Sequence, residues 1–160
     1  MRRLLILVAV SALAVGLVGI GAAGAKTSKP VTLDGKVNVK GTKDLSGKSV
    51  AALELEADDY YFSPTFVKVK PGEKVTITFK NEGNAPHTFT SDTLGVNKQV
   101  SPGKSAKVTI TVPSTGEAFQ FHCDFHGSMG MQGAFFTKVG AKVGAAGKTS
   151  TSSAGSSSGY

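Results

Sequence analysis

The chain has 160 residues, 40% of them hydrophobic, which is enough for one domain and little more. Its formal net charge is +7, but many of the lysines lie in the two flanks among Gly, Ser and Thr. That is the pattern of solvated segments, so no nucleic-acid partner is expected. The single cysteine, Cys123, excludes an intramolecular disulfide.

Residues 1–25 carry Arg2 and Arg3, an apolar run from Leu4 to Ile20, and the small residues Ala23, Gly24 and Ala25. This is the layout of an export leader cut after Ala25. The same run is long enough to span a bilayer core, so membrane attachment is expected only where the leader stays on. Without it, 16 basic residues stand against 11 acidic ones, a net charge near +5. Export predicts a secreted, periplasmic or cell-envelope protein. A lone thiol in that compartment is a liability unless it is buried, paired with another chain or bound to a metal.

Residues 26–48 lack a sustained period and are rich in Gly, Lys and Thr; they read as a flexible linker, with a short strand at 37–39 at most. The folded domain is expected over 49–139. Residues 50–57 (VAALELEA) fit a strand or a short helix, since Ala, Leu and Glu are helix formers; the surrounding all-β pattern selects the strand, and Asp58 and Asp59 end it. Tyr60, Tyr61 and Phe62 read as packing residues. Residues 74–81 alternate, with Val75, Ile77 and Phe79 on one face, and 106–112 do the same with Val108, Ile110 and Val112. The turns between strands are marked by Pro71-Gly72 and Pro102-Gly103. In the strand 117–123, Phe119, Phe121 and Cys123 share the core parity, while His122 points away. Residues 133–138 close the domain, and 140–160 read as a disordered Gly/Ser/Ala-rich tail. Short strands with Pro-Gly turns and no convincing helix predict an all-β, antiparallel Greek-key sandwich.

The chemistry is concentrated in residues 119–136, FQFHCDFHGSMGMQGAFF. It holds Cys123, His126 and the methionines Met129 and Met131; His87 arrives from a separate loop in NAPHTF. One thiolate, two imidazoles and a thioether are the donors of a mononuclear type 1 copper site. Such a set satisfies neither Cu(I) nor Cu(II) fully, so little rearranges between the two states. Zinc takes Cys and His but seldom Met, which favours copper. A binuclear copper centre would need a second cysteine. His122 neighbours Cys123, but strand parity aims it outward, and it is read as a non-ligand.

Over residues 50–138 the sequence resembles the cupredoxins, the plastocyanin, azurin and amicyanin group of small blue copper proteins. The resemblance rests on CDFHGSMGMQG and on PGEKVTITFKNEG followed by HTF. It implies a cupredoxin-like sandwich and one copper ion held by His87, Cys123, His126 and Met131. Plastocyanin-like loops run C-x2-H-x4-M-x-G, matched by Cys123, His126, Met131 and Gly133. The shorter amicyanin-like spacing would select Met129, but Met131 stands where its glycine should be. Two positions depart from the family. Phe125 replaces a common proline, and Thr88 replaces a common asparagine that ties the two ligand loops together. A threonine hydroxyl can make a similar, shorter tie.

The resemblance implies an exported blue copper protein, a monomer that carries single electrons between transient redox partners, with His126 as the electron's exit. The alternative is extracytoplasmic copper binding or delivery without sustained electron transfer. No enzyme is expected: there is no second metal site, no nucleophile-histidine-acid set and no phosphate loop.

Overall fold

The computed structural model describes residues 29–143. The leader expected over 1–25 and the tail beyond 143 lie outside the described residues.

The described chain forms twelve strands: β1 (Val31–Thr32), β2 (Thr42–Asp44), β3 (Ala51–Asp58), β4 (Tyr61–Ser63), β5 (Phe66–Lys68), β6 (Lys74–Asn81), β7 (His87–Ser91), β8 (Val96–Val100), β9 (Ser105–Thr111), β10 (Ala118–His122), β11 (Gln132–Phe136) and β12 (Ala141–Lys142). One sheet runs β2-β5-β11-β10-β7-β8 and the other β4-β3-β6-β9, with β1 and β12 as a separate pair. Among the described residues no helix is long and apolar enough to cross a membrane.

Hydrophobic alternation explains which faces meet. In β6, Val75, Ile77 and Phe79 are fully buried while Lys74, Thr76 and Thr78 face outward or sideways. In β3, Ala51, Leu53, Leu55 and Ala57 do the same. The opposite sheet answers with Phe89 from β7, Phe119 and Phe121 from β10 and Phe135 from β11. Phe121 sits at the centre, with ring centroids 5.2–5.4 Å from Phe62, Phe89 and Phe135. Each such ring contributes about 1.5–3 kcal/mol through burial. The expected parity of β10 holds: Phe119, Phe121 and Cys123 are buried, and Gln120 and His122 are half-exposed.

Both Pro-Gly turns close as expected. The Glu73 amide donates to the Lys70 carbonyl at 3.2 Å and the Lys104 amide to the Ser101 carbonyl at 3.1 Å. Proline presets the first central residue of each turn. Gly72 and Gly103 take positive φ values of 74° and 68°, which a side chain would resist.

Two features differ from the sequence reading. The pairing is mixed rather than wholly antiparallel: β3 runs parallel to β6, and β5 runs parallel to both β11 and β2. Between β3 and β6 the chain crosses to the other sheet as β5, so it re-enters the first sheet in the same direction. Residues 29–48, read as a flexible linker, are laid along the sandwich. Val31 and Leu45 are buried, β2 extends one sheet, and β1 pairs with β12 at the point where the tail was expected to have begun. The segment 37–39 is not a strand. It is held by Asn38, whose amide donates to the Tyr60 and Met129 carbonyls at 2.8 and 3.0 Å and whose backbone N–H donates to Gly130. Isolated polar side chains that bond to distant backbone leave no periodic trace in sequence.

Phe121→Ala should cost about 3–5 kcal/mol in denaturant unfolding of the metal-free protein, because the void would open at the centre of the core among Phe62, Phe89 and Phe135. A cost near 1 kcal/mol would show that these neighbours collapse into the void.

Candidate metal centre

Three loops at one end of the sandwich converge on a single point. The β6–β7 loop delivers His87, the β10–β11 loop delivers Cys123, His126 and Met131, and the β3–β4 connection places Asp59 and Tyr60 against both imidazoles.

His87 is the first residue of β7 and is fully buried. Its approach is shaped by Asn81, buried at the end of β6. The Asn81 side-chain amide donates to the carbonyls of Ala85 and Val100 at 2.8 and 2.9 Å, and its oxygen accepts from the Gly83 N–H at 2.9 Å. One side chain thus spans the whole loop.

Cys123 directly follows β10. Its N–H donates to the Met131 carbonyl at 3.0 Å, and its own carbonyl accepts from His126 and Gly127 at 3.2 and 2.8 Å. The Met131 N–H returns to the His126 carbonyl at 3.2 Å. The loop is therefore a closed turn, with one 3₁₀ turn at Gly127–Met129 and Gly130 in the left-handed region at φ 99°. This geometry separates the two methionines. Met131 is fully buried in the same core cluster as Cys123, whereas Met129 is 43% exposed.

The donor atoms face one another. The Nδ1 atoms of His87 and His126 are 3.2 Å apart, and Cys123 Sγ lies 3.8 Å from the first and 3.5 Å from the second. A metal bound about 2.0–2.3 Å from nitrogen and sulfur donors needs donor separations of roughly 3.2–3.8 Å. The triangle already has these edges, and the buried Met131 thioether in the same cluster is of the type that would serve as the soft fourth donor of a copper site. The residues present therefore fit one copper ion. Among the described residues this is the one group of three or more Cys, His or acidic side chains that brings its donor atoms within 4.8 Å of one another.

The surroundings are specific to each donor. The thiol sulfur accepts the backbone N–H of Thr88 at 3.4 Å. The Thr88 hydroxyl accepts the N–H of Asp124 at 2.8 Å, which supplies the tie between the two loops expected of it. His87 Nε2 lies 3.0 Å from Asp59 Oδ1. Asp59 Oδ2 accepts from the Asn84 backbone N–H at 3.1 Å and from its side-chain amide at 3.4 Å. These bonds, led by the Asn84 backbone N–H, hold the Asp59 carboxyl below the usual range. Burial pushes the His87 imidazole down, against the opposing pull of Asp59, and so favours the neutral ring that a metal requires. Gly83 leaves no room between the pair: a Cβ there would lie 2.6 Å from Asp59 Oδ1 and 2.8 Å from His87 Nε2.

His126 sits nearer the surface. Tyr60 stacks on it with ring centroids 4.4 Å apart, and Phe125, 52% exposed, lies 6.1 Å away. His122 stays on the outer face of β10, with Nε2 3.2 Å from Asp124 Oδ1, and takes no part in the triangle.

The structure thus brings together His87, Cys123 and His126, and packs Met131 in the same cluster. Sequence reasoning missed Asn38, Asp59, Tyr60 and Asn81. Asp59 and Tyr60 were read as a strand end and packing residues, because nothing local marks a contact with a histidine 28 or more positions away. The Asn81-Gly83 pair was the one available signal: a polar residue at a core-facing position, two residues before a glycine.

A sandwich that brings one thiol and two imidazoles together at one end, with a buried thioether in the same cluster, carries the donor set of a mononuclear copper protein. A family model described as a cupredoxin-like domain matches residues 35–135, and the chain belongs to that family. Chloroplastic plastocyanins of Hordeum vulgare and of Oryza sativa subsp. indica are each 38% identical over 84 residues, covering 45% of this chain and 51% of theirs. The chain spans about half the length of these curated relatives. Among solved structures, a reduced auracyanin from Roseiflexus castenholzii is 20% identical, with a TM-score of 0.47, over 54% of this chain and 96% of its own. A copper nitrite reductase from Nitrosomonas europaea is 19% identical, with a TM-score of 0.49, over 56% and 42%. Likeness at that level is partial and assigns no function.

Thr88→Val keeps the shape and removes the acceptor both for the Asp124 N–H and for the buried Thr90 hydroxyl, 3.0 Å away. It should destabilise the metal-free protein by about 1–3 kcal/mol in denaturant unfolding, the cost of leaving such donors unpaired. Unchanged stability would mean that water replaces the tie without loss.

Proposed function

We propose that the chain is an exported type 1 copper protein that carries single electrons between transient redox partners, working as a monomer. The observation that carries this reading is the donor triangle of His87, Cys123 and His126, already at metal-binding separations, with Met131 buried in the same core cluster as Cys123. One copper, cycling between Cu(I) and Cu(II), supplies the redox chemistry. The chain supplies a site that need not rearrange. Cys123 is fixed by backbone bonds at both its amide and its carbonyl, His87 by burial and Asp59, and His126 by Tyr60. Proteins that give up copper readily present their donors to an acceptor. Here Cys123, His87 and Met131 are fully buried, which favours an electron carrier over a delivery protein.

The exit route follows from exposure. His126 is the half-exposed member of the triangle, and exposed Phe125 and Met129 lie in its loop. A small apolar rim around one accessible imidazole suits brief contacts between redox proteins. The leader read in residues 1–25 would place the mature protein in the secreted or cell-envelope compartment, with the folded domain carrying the site. No catalytic turnover is assigned to it.

Copper loading of the mature protein should give an intense thiolate-to-copper band at the red end of the visible spectrum and narrow copper hyperfine splitting. Both should be lost in Cys123→Ser. A copper signal that survives this substitution would put the ion elsewhere and end the proposal. The methionines give a second test. Met131→Leu should shift the reduction potential and the band while the buried volume is nearly conserved. Met129→Leu should leave both unchanged, and the reverse result would transfer the axial role to Met129.

A further inference from the structure

Asp59 lies outside the donor set, and its position raises the question of what it does for His87. A neutral imidazole carries one ring proton, on either nitrogen, and only the nitrogen without it can bind a metal. Nothing in the ring itself makes Nδ1 the free one.

The carboxylate of Asp59 can only accept a hydrogen bond. Its Oδ1, 3.0 Å from His87 Nε2, therefore requires the proton at Nε2 and leaves the Nδ1 lone pair facing Cys123 Sγ and His126 Nδ1. The carboxylate is itself held, because Oδ2 receives both the backbone N–H and the side-chain amide of Asn84. Its two oxygens thus have separate duties, one to the loop and one to the ring. Gly83 backs directly onto Asp59 Oδ1 and His87 Nε2: its φ lies outside the left-handed region, so its lack of a side chain is explained by space rather than by backbone conformation.

We infer that Asp59 is a positioning residue that fixes the Nε2–H tautomer and the ring orientation of His87, so that the site is set for copper before copper arrives. This rests on the copper reading of the site for its purpose, but the tautomer exists without the metal. Carboxylate partners of metal-binding histidines typically change metal affinity by about 10–100-fold when removed.

Asparagine at position 59 gives a sharp test. Its amide oxygen would stay on the two Asn84 donors, since the reverse orientation would leave both unpaired. Its NH2 would then face His87 Nε2, which can accept only if the ring proton moves to Nδ1. Asp59→Asn should therefore invert the tautomer. Gly83→Ala should push the pair apart without altering either hydrogen-bonding group, and should remove the Nε2–H preference.

The measurement is two-bond 1H–15N correlation of the His87 ring in the metal-free mature protein at about pH 8, where an ordinary imidazole is neutral. The expected result is Nε2–H in the wild type, Nδ1–H in Asp59→Asn and a mixture in Gly83→Ala, with folding of each checked by its amide spectrum. Competition titration with Cu(II) should show affinity about 10–100-fold lower in both variants. Retention of Nε2–H in both folded variants would overturn the proposal, as would Nδ1–H in the wild type. A wild type that shows the Nε2–H tautomer but no blue band on copper loading would end the copper reading and leave the assignment of Asp59 standing.

Discussion

Two imidazole nitrogens and a thiol sulfur held 3.2–3.8 Å apart in an apolar pocket are not a natural resting state for a polypeptide. His87 and Cys123 are fully buried there, so each polar atom needs a partner within the protein. Burying a polar group without a partner costs on the order of 1–3 kcal/mol, judged from protein mutations. The fold meets this constraint by giving each donor a second attachment that points away from the triangle. Cys123 is bound through its backbone on both sides, His87 through Nε2, and Thr88 supplies an N–H to the sulfur.

Those attachments come from parts of the chain far apart in sequence, so the site depends on the sandwich as a whole. The aromatic core packs against the inner face of the sheet in which β7 lies beside β10, where His122 pairs with Thr90. That pairing brings His87 and Cys123 together at the sheet end. The N-terminal stretch adds a clamp from outside. Asn38 links the Tyr60 carbonyl to Met129 and Gly130, and Gln132 donates to the carbonyls of Asp34 and Lys36 at 2.9 and 2.6 Å. The segment that looks like a tether in composition is thus part of the wall behind the ligand loop.

The donors were legible in the sequence because two different periodicities speak about them. Period-two alternation put Cys123 beneath Phe119 and Phe121, and the spacing of Cys123, His126 and Met131 carries the chemistry of one short turn. The sandwich followed from β6 and β9, whose alternation is strict. The strands that were not legible are short or carry few apolar residues: β1 has two residues and β2 reads Thr-Lys-Asp. Their places are set by pairing with β12 and β5, which is long-range information. The same holds for Asp59, Asn81 and Asn38. A polar side chain that bonds across more than twenty residues has no local signature, and composition alone makes it look like a solvated loop.

The two imidazoles end up with opposite surroundings. His87 is fully buried, bonded to a carboxylate and walled by the loop that Asn81 spans. His126 is half-exposed, and its neighbours Tyr60 and Phe125 are rings that offer contact area without a charge. Rigid hydrogen bonding suits a donor whose task is to stay in place. On the proposed electron-carrier reading, a tilted ring beside the surface imidazole suits a ligand that also meets a partner, since apolar contact can be made and broken without exchanging hydrogen bonds. The Asp59-Tyr60 pair serves both, with one residue on each histidine. A single connection between β3 and β4 therefore couples the buried half of the centre to its accessible half, and a shift in that connection would reach both imidazoles together.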